Sequence, residues 1–435
     1  IIDFGENQPF PGAEMVRPSI VVLKRAPQDG GFRSLFLSAK VPESLEEAVA
    51  VEGIDCDASA LAQDEWTFQP AELTLLFEKI KAAGRPLSEV VNGRMYRGVL
   101  TGLNEAFLID TATRNRLVES DRTCAPLIKP ALRGEDLRPW YQEDEGRWLI
   151  LVPNGWTAAT FGVGLSEAEA FARLKAQHGP VADYLLPFQD AARKRWDKGA
   201  YWWELRPCDY YADFDKPKIL WPDISKLPRF SYDASGQYIN DKGSIVAVDD
   251  LALLAILQSR VAWFVLSQIA VPLRLRAGLW QYQLKTQFVS RIPIPDVPEG
   301  DREALATLAR EITDLSRERY ALHGRTRKRL RDDLGDGDAP PAKPLNQKLT
   351  AWWNLPGLPA LRAEIGKLYK RDIPVKERDA WDDYLADRRA EHRRLTDAII
   401  GREADLNARV YALFGLDEGE IARVEEVTKY PYGEV

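Results

Sequence analysis

The chain has 435 residues, of which 45% are hydrophobic and 29% are charged, and its formal net charge at pH 7 is −7. This composition is typical of a soluble globular protein of about three domains, and it excludes a globally basic chain, so any anion-binding face must be a local patch. The three cysteines lie far apart, which argues against a disulfide framework or zinc knuckle and favours a reducing, cytoplasmic location.

The first 40 residues predict two strands, PSIVVLKR and FRSLFLSA, joined by a turn at residues 28–31. We interpret residues 1–40 as the terminal strands of a domain that precedes this chain, because the chain begins at Ile1 without an initiator methionine. Residues 41–84 follow as a helical connector. Its apolar residues at the i, i+3, i+4 and i+7 positions of an amphipathic helix are Leu73, Leu76, Phe77 and Ile80.

The stretch YRGVLTGLNEAFLID, residues 96–110, combines strand-forming apolar residues with Gly98 and Gly102, which allow tight turns or close backbone approach. Nothing in it suggests catalysis, and we interpret it as the opening of a recognition domain over residues 85–300. Within that domain, residues 217–230 predict a buried strand that leads through Pro222 into a loop. Ser166, with the acidic Glu167 and Glu169 close behind it, predicts the start of a helix over 166–177.

A long apolar helix is predicted from Asp249 to Leu266. The apolar run around it, residues 251–273, contains Arg260, Ser267 and Gln268, so it is interpreted as a buried helix rather than a membrane span. Residues 279–295 then predict a strand that runs into prolines.

After Asp301 the pattern becomes helical, with a first long helix that continues into the basic run at 325–331 and a loop at 332–344. Helical patterns resume near Trp352 and continue over 361–369 and 380–414. The predicted fold class is therefore α+β: a mixed-sheet recognition domain followed by a C-terminal helical domain at 301–435.

Sequence motifs for an active site are missing. The chain has no Gly-rich fingerprint for a nucleotide or S-adenosylmethionine, no P-loop and no Asp/Asn-Pro-Pro-aromatic tetrapeptide. No Gly-x-Ser-x-Gly motif is present either. His178, His323 and His392 are scattered along the chain, which disfavours a metal site or a catalytic triad.

Aromatic and basic residues alternate between Trp196 and Tyr238, a mixture that can grip phosphates and stack on bases. The alternative is an aromatic core with solvated charges, since eight acidic residues between Asp190 and Asp233 nearly cancel the basic charge.

The segment from Arg274 to Arg291 carries cations and glutamines without any acid, and Arg and Gln are the side chains that pair with guanine and adenine edges. We therefore expect it to face DNA; the alternative is a surface loop with incidental charge. The candidate DNA-binding residues in this segment are Arg274, Arg276, Trp280, Gln281, Gln283, Lys285 and Arg291. Further candidates elsewhere in the chain are Lys129, Arg133, Arg195 and Lys198.

Several segments together resemble a known family. They are YRGVLTGLNEAFLID, APLIKPALRGEDLRPW, KPKILWPDIS, LALLAILQSRVAWFVL, FVSRIPIP and LNARVYALFGLDEGEIARVE. In this order they resemble the TaqI-like C-terminal specificity region of type IIG-like restriction-modification enzymes and related phage-defence adenine methyltransferases. FPGAEMVRPSIVVLKR resembles the last strands of the methyltransferase domain in those proteins.

The resemblance implies that this chain recognises double-stranded DNA for an adenine-N6 methyltransferase domain. The expected partners are therefore the DNA and that methyltransferase domain. S-adenosylmethionine would bind that missing domain, and no cofactor is expected in this chain. Thr101 and Asn104 lie in a turn that matches the family pattern and are added to the candidates for DNA contact. The alternatives are a protein-interaction module of a defence complex and an enzyme with an unfamiliar active site.

Overall fold

The computed structural model describes residues 1–4, 19–22, 31–37, 41–57, 70–276, 278–335 and 343–433. Its N-terminal strands form one sheet in the order β2-β1-β3-β4. They are β1 (Ile2–Asp3), β2 (Ser19–Ile20), β3 (Gly31–Phe36) and β4 (Ile54–Asp57). Helix α1 (Leu45–Glu52) packs against β3.

Strand β2 falls within the first predicted strand, and β3 overlaps the second but begins one residue earlier, at Gly31. Residues 28–30 of the predicted turn lie outside the described residues. The prediction that residues 41–84 are only a helical connector is wrong for β4. Its residues pair antiparallel with β3, and Cys56 lies opposite Phe32. Such pairing is a tertiary contact that local periodicity does not show.

The recognition region contains thirteen short strands in four small sheets, in the orders β12-β10-β14-β6, β13-β8-β9-β7, β11-β16-β15 and β17-β5. The strands are β5 (Gly84–Pro86), β6 (Met95–Arg97), β7 (Leu108–Asp110), β8 (Ile128–Leu132), β9 (Arg147–Ile150), β10 (Lys218–Pro222), β11 (Ile224–Ser225), β12 (Ser231–Asp233), β13 (Tyr238–Ile239), β14 (Gly243–Val246), β15 (Val271–Arg276), β16 (Leu279–Gln283) and β17 (Pro293–Pro295). The mixed-sheet prediction is confirmed.

Eleven helices accompany these strands in the described part of the chain. They are α2 (Ala71–Ala82), α3 (Leu87–Val90), α4 (Asn104–Phe107), α5 (Thr111–Ser120), α6 (Trp156–Phe161), α7 (Glu167–Gln177), α8 (Gly179–Leu185), α9 (Gln189–Arg193), α10 (Leu251–Gln258), α11 (Arg260–Ile269) and α12 (Thr286–Val289). Helix α7 begins as predicted: the Ser166 hydroxyl accepts a hydrogen bond from the Glu169 amide, and the Glu169 carboxylate accepts one from the Ser166 amide.

The single helix predicted from Asp249 to Leu266 is wrong, because the structure has two helices, α10 and α11, bent by 59° at Ser259. Ser259 adopts an extended conformation, and its hydroxyl accepts a hydrogen bond from the amide of Ala262. It therefore ends one helix and caps the next. Among the described helices, none alone is long and apolar enough to span a membrane, although α10 and α11 together pass that test by length and composition.

The C-terminal region is helical, as predicted. Its helices are α13 (Glu299–Leu334), α14 (Gln347–Thr350), α15 (Leu358–Tyr369), α16 (Arg378–Leu413) and α17 (Glu418–Thr428). The two 36-residue helices, α13 and α16, pack along each other, and α10 packs on α13. The largest hydrophobic core accordingly mixes α10 and α11 with residues of α2, α13, α16 and α17.

Residues 430–433 return to the recognition region and are held by two buried charged side chains. The guanidinium of Arg260 lies 4.5 Å from the ring centroid of Tyr430 and 4.2 Å from that of Tyr432. The carboxylate of Glu403 accepts hydrogen bonds from the Trp140 indole (2.7 Å) and the Gly433 amide (2.6 Å). Burial raises the pKa of Glu403. These contacts join the recognition region to the C-terminal helical region.

Two histidines that are 69 positions apart in the sequence meet between α13 and α16. Nε2 of His323 lies 2.9 Å from Nδ1 of His392, and the ring of Trp353 stacks on His323 with centroids 3.9 Å apart. Burial lowers the pKa of His323 to about 2 and that of His392 to about 4. Both rings are therefore neutral in the folded protein near neutral pH.

Candidate nucleic-acid interface

Strands β15 and β16 form a hairpin that contains most of the candidate residues. β16 is the middle strand of its sheet: Gln283 lies opposite Val271 of β15 and opposite Ile224 of β11. The turn between the two strands includes Gly278 at a φ of +77°, a conformation that favours glycine. Both strands are therefore held in register, one of them by pairing on both sides.

One face of the hairpin carries a paired arginine and glutamine. Arg274 lies directly opposite Gln281, and its Nε donates a 2.6 Å hydrogen bond to Oε1 of Gln281. Gln283 follows two residues later and shares the face with Gln281, because side chains alternate along a strand. The side chain of Arg274 is exposed, whereas those of Gln281 and Gln283 are partly exposed. We call Arg274, Gln281 and Gln283 the polar face.

The opposite face of β16 holds the hairpin in place. Tyr282 makes an edge-to-face contact with Trp263 of α11, with ring centroids 5.7 Å apart, and burial raises its pKa to about 12. Trp280 makes a similar contact, also at 5.7 Å, with Phe36 of the N-terminal sheet. The predicted base contact Trp280 thus lies between two parts of the chain, on the face away from Arg274. Of Arg276, the structure describes the backbone, opposite Leu279, and its side chain lies outside the described residues.

The hairpin leads into a cluster of three cations that the structure, not the sequence, brings together. Lys285 follows β16 and is exposed; Arg97 ends β6; Lys242 precedes β14. Asp241 forms ion pairs with Arg97 at 3.5 Å and with Lys242 at 3.0 Å. We call Arg97, Lys242 and Lys285 the basic cluster.

The basic cluster surrounds a second carboxylate, that of Asp223. Burial raises the pKa of Asp223, while the charges of Arg97, Lys242 and Lys285 oppose that rise. The side chains of Arg97 and Lys242 are 52% and 67% exposed, so both are accessible from solution. The candidates from sequence included Lys285 but missed Arg97 and Lys242. Arg97 is 144 positions from Asp241, the neighbour of Lys242, so the sequence does not show that these side chains meet.

Three other predicted contacts form a structural turn. The Thr101 hydroxyl donates a 2.6 Å hydrogen bond to Oδ1 of Asn104 and accepts one from the Leu103 amide. Arg195 is only 6% exposed, and its guanidinium donates hydrogen bonds to the carbonyls of Thr101 (2.5 Å) and Trp202 (2.6 Å). Burial lowers the pKa of Arg195 to about 10. Arg195 and Thr101 therefore hold the backbone, and neither lies on the surface as a DNA contact would.

The remaining candidates lie apart from the hairpin in the chain and have local partners. Lys129 forms a 3.1 Å ion pair with Asp215, and Arg133 forms one of 3.3 Å with Glu135. Lys198 is exposed and donates a hydrogen bond to the Arg195 carbonyl at 3.2 Å. Arg291 is exposed and borders an apolar cavity of about 200 Å³ beside α2 and α11.

The aromatic segment between Trp196 and Tyr238 is mainly core, which is the alternative that the sequence left open. Trp202, Trp203 and Phe214 are at most 1% exposed. Lys218 is fully buried and forms a 2.5 Å ion pair with Asp233. Trp196 differs from this core because it is 97% exposed.

Across the described parts of the chain, no group of three or more His, Cys, Asp or Glu side chains is arranged to hold a metal ion. The polar face and basic cluster contain amide, guanidinium and ammonium groups, which bind anions and hydrogen-bond acceptors. Chemically, the arrangement is suited to binding such groups.

Comparison with known proteins gives a family match for part of the chain. A family described as "Domain of unknown function (DUF8810)" matches residues 298–410, which include α13 to α15 and most of α16. No curated protein matches the chain.

Structural neighbours of the chain include two restriction enzymes. One is the type IIL restriction-modification enzyme MmeI, solved in complex with DNA, at 12% identity and a TM-score of 0.38, covering 77% of this chain and 34% of MmeI. The other is the type IIG restriction endonuclease BpuSI, at 11% identity and a TM-score of 0.35, covering 89% of this chain and 41% of BpuSI. The chain thus spans less than half of either enzyme. Similarity this distant assigns no activity to the chain.

Proposed function

We propose that this chain recognises double-stranded DNA through the polar face of the β15–β16 hairpin. The observation that carries the proposal is the exposed Arg274 held by Gln281, in a segment from residue 274 to residue 291 that contains no acidic residue. The major groove of B-DNA admits a two-stranded β-ribbon, and Arg and Gln are the side chains that read guanine and adenine there.

The contact between Arg274 and Gln281 suits such readout. The hydrogen bond from Nε of Arg274 to Gln281 orients the guanidinium group, and its two terminal nitrogens have no partner among the described residues. Two parallel donors of this kind match O6 and N7 of guanine. The amide nitrogen of Gln281 is directed by the same bond and can donate to a neighbouring base edge.

The basic cluster complements this face. Lys285 lies two residues after the end of the hairpin, and Arg97 and Lys242 lie near it around Asp223. Cations at such positions bind backbone phosphates, which fixes the register of a protein on DNA and makes binding sensitive to salt. We therefore assign base readout to the hairpin and phosphate binding to the cluster.

We further propose that this recognition serves an adenine-N6 DNA methyltransferase of a restriction-modification or phage-defence system. The support is the order of segments that resembles the TaqI-like specificity region, together with the lack of catalytic motifs in this chain. A methyltransferase domain that binds S-adenosylmethionine would then be a partner of this chain. Methylation assays on a protein that joins the two domains, with adenine-N6 as the readout, test this part.

The DNA-binding proposal is tested by fluorescence anisotropy with random-sequence duplexes at low salt. Arg274→Ala and Lys285→Ala should each weaken binding, and raising salt from about 50 to 200 mM should weaken it further. Lys376→Ala is the matched control, because Lys376 is 84% exposed on the C-terminal region. Absence of duplex binding by the unaltered chain, or equal losses in all three variants, would contradict the proposal.

A further inference from the structure

Trp196 is the most exposed of the large hydrophobic side chains in the described structure, at 97%. Tryptophan is usually well buried in folded proteins, because its indole loses much hydrophobic stabilisation when left in water. Its neighbours Trp202 and Trp203 follow that rule and are at most 1% exposed. The exposure of Trp196 therefore needs an explanation.

The loop that carries Trp196 is held on its N-terminal side. Arg195, the preceding residue, donates hydrogen bonds to three carbonyl groups besides that of Ala192 and lies over the ring of Phe107, 4.4 Å from its centroid. Gly102 packs directly on the loop: a Cβ atom there would lie 3.3 Å from the Arg195 side chain and 3.4 Å from that of Asp197.

The C-terminal side of the loop is held as well. Lys198 forms a β-bridge with Leu205, and the Gly199 amide donates a 3.2 Å hydrogen bond to the Glu204 carbonyl. Asp197 lies 3.8 Å from Arg206 in an ion pair. The indole is thus presented to solvent by a fixed backbone on both sides.

The charges beside the ring indicate what it contacts. Lys194 and Lys198 flank Trp196 at two residues on either side, and both are exposed. The single acid between them, Asp197, is paired with Arg206. Neither lysine forms an ion pair with another described residue. An aromatic ring between two such cations suits the alternation of base and phosphate in nucleic acid, where rings stack on bases and lysines bind phosphates. An apolar protein surface would offer these two ammonium groups no anionic partner.

We propose that Trp196 stacks on a nucleobase that has left the helical stack of bound DNA, at a kinked step or at an extruded base. This inference rests on the proposed binding of duplex DNA and adds a second contact of a different kind. The fixed backbone lowers the entropy lost when the ring engages a base, as expected for a preorganised wedge.

The test uses short random-sequence duplexes of two kinds, fully paired and with one unpaired 2-aminopurine. Binding should quench the 2-aminopurine, and Trp196→Ala should abolish the quenching and weaken binding to this probe by about tenfold, the effect of one base–aromatic stack. Trp196→Phe should restore part of both signals. Val163→Ala is the matched control, since Val163 is an exposed apolar side chain (86%) on another loop.

The outcomes separate this inference from the proposed function. If the unaltered chain binds both duplexes and Trp196→Ala changes neither affinity nor quenching, the stacking proposal is overturned while DNA recognition stands. If the unaltered chain binds neither duplex, DNA recognition fails and the stacking proposal falls with it. A loss of equal size in Trp196→Ala and Val163→Ala would also overturn the stacking proposal.

Discussion

Acidification should destabilise the helical region through the pair formed by His323, which is buried, and His392, which is partly buried. Replacing both by glutamine removes the titrating rings while keeping a polar side chain at each position. The folded-state pKa values, about 2 and about 4, lie below the ordinary value of 6.5. The unfolded chain therefore binds more protons than the folded chain once the pH falls below about 6.5. The folded state is destabilised as the pH falls from about 6.5 towards the folded-state pKa values.

The magnitude follows from these pKa values. Between about pH 7.5 and about pH 5.5, each histidine that stays neutral in the folded state lowers the free energy of unfolding by about 1 kcal/mol. The pair together should contribute roughly 2–3 kcal/mol. Carboxyl groups whose pKa is raised by burial, such as those of Glu403 and Asp223, act in the opposite sense. The quantity to measure is therefore the difference between the unaltered chain and the double variant.

Equilibrium urea denaturation at the two pH values provides the assay, with tryptophan fluorescence as the signal because Trp352 and Trp353 lie against the pair. The unaltered chain should lose roughly 2–3 kcal/mol more than the double variant on acidification. Equal losses in both proteins would refute the reasoning, since they would show that the two rings are not held neutral in the folded state.

Three further substitutions test contacts described above by urea denaturation. Glu403→Ala should lower the free energy of unfolding by about 2–5 kcal/mol, because it leaves the buried Trp140 indole and Gly433 amide without an acceptor; no loss would contradict this. Arg195→Met should cost about 3–5 kcal/mol, and Arg195→Lys should not rescue it, since an ammonium group cannot reach several carbonyls at once. Gly102→Ala should lower the free energy of unfolding by about 1–2 kcal/mol, because φ is +66° there. An unchanged free energy of unfolding would show that the loop shifts to accommodate the added methyl group.

Elements set by local sequence were predicted correctly. The i, i+3, i+4 pattern predicted α2, and Ser166 predicted the start of α7. The break between α10 and α11 was missed, because Gln258, Ser259 and Arg260 interrupt the apolar run only briefly and contain neither glycine nor proline. Its cause is partly tertiary: the amide of Arg260 donates to Oδ1 of Asn407, a residue 147 positions away.

The candidate site was predicted only where its residues are neighbours in sequence. Arg274 to Lys285 form one hairpin and its exit, so the segment could be found from its residue types. Arg97 and Lys242 join it only through the fold. Arg195 and Lys198 show that sequence neighbours can also differ. They are both cationic and lie three positions apart, yet Arg195 is buried among carbonyl groups and Lys198 is exposed. Residue type alone does not distinguish them.

The central claim is that the β15–β16 hairpin reads a DNA sequence. The most direct measurement is selection of preferred sites from a random duplex pool, carried out with the unaltered chain and with Arg274→Ala. The unaltered chain should enrich one motif, and Arg274→Ala should relax it at a single guanine position by about 1–3 kcal/mol, the discrimination of one bidentate contact. Enrichment of no motif, or of the same motif to the same degree by both proteins, would contradict the claim.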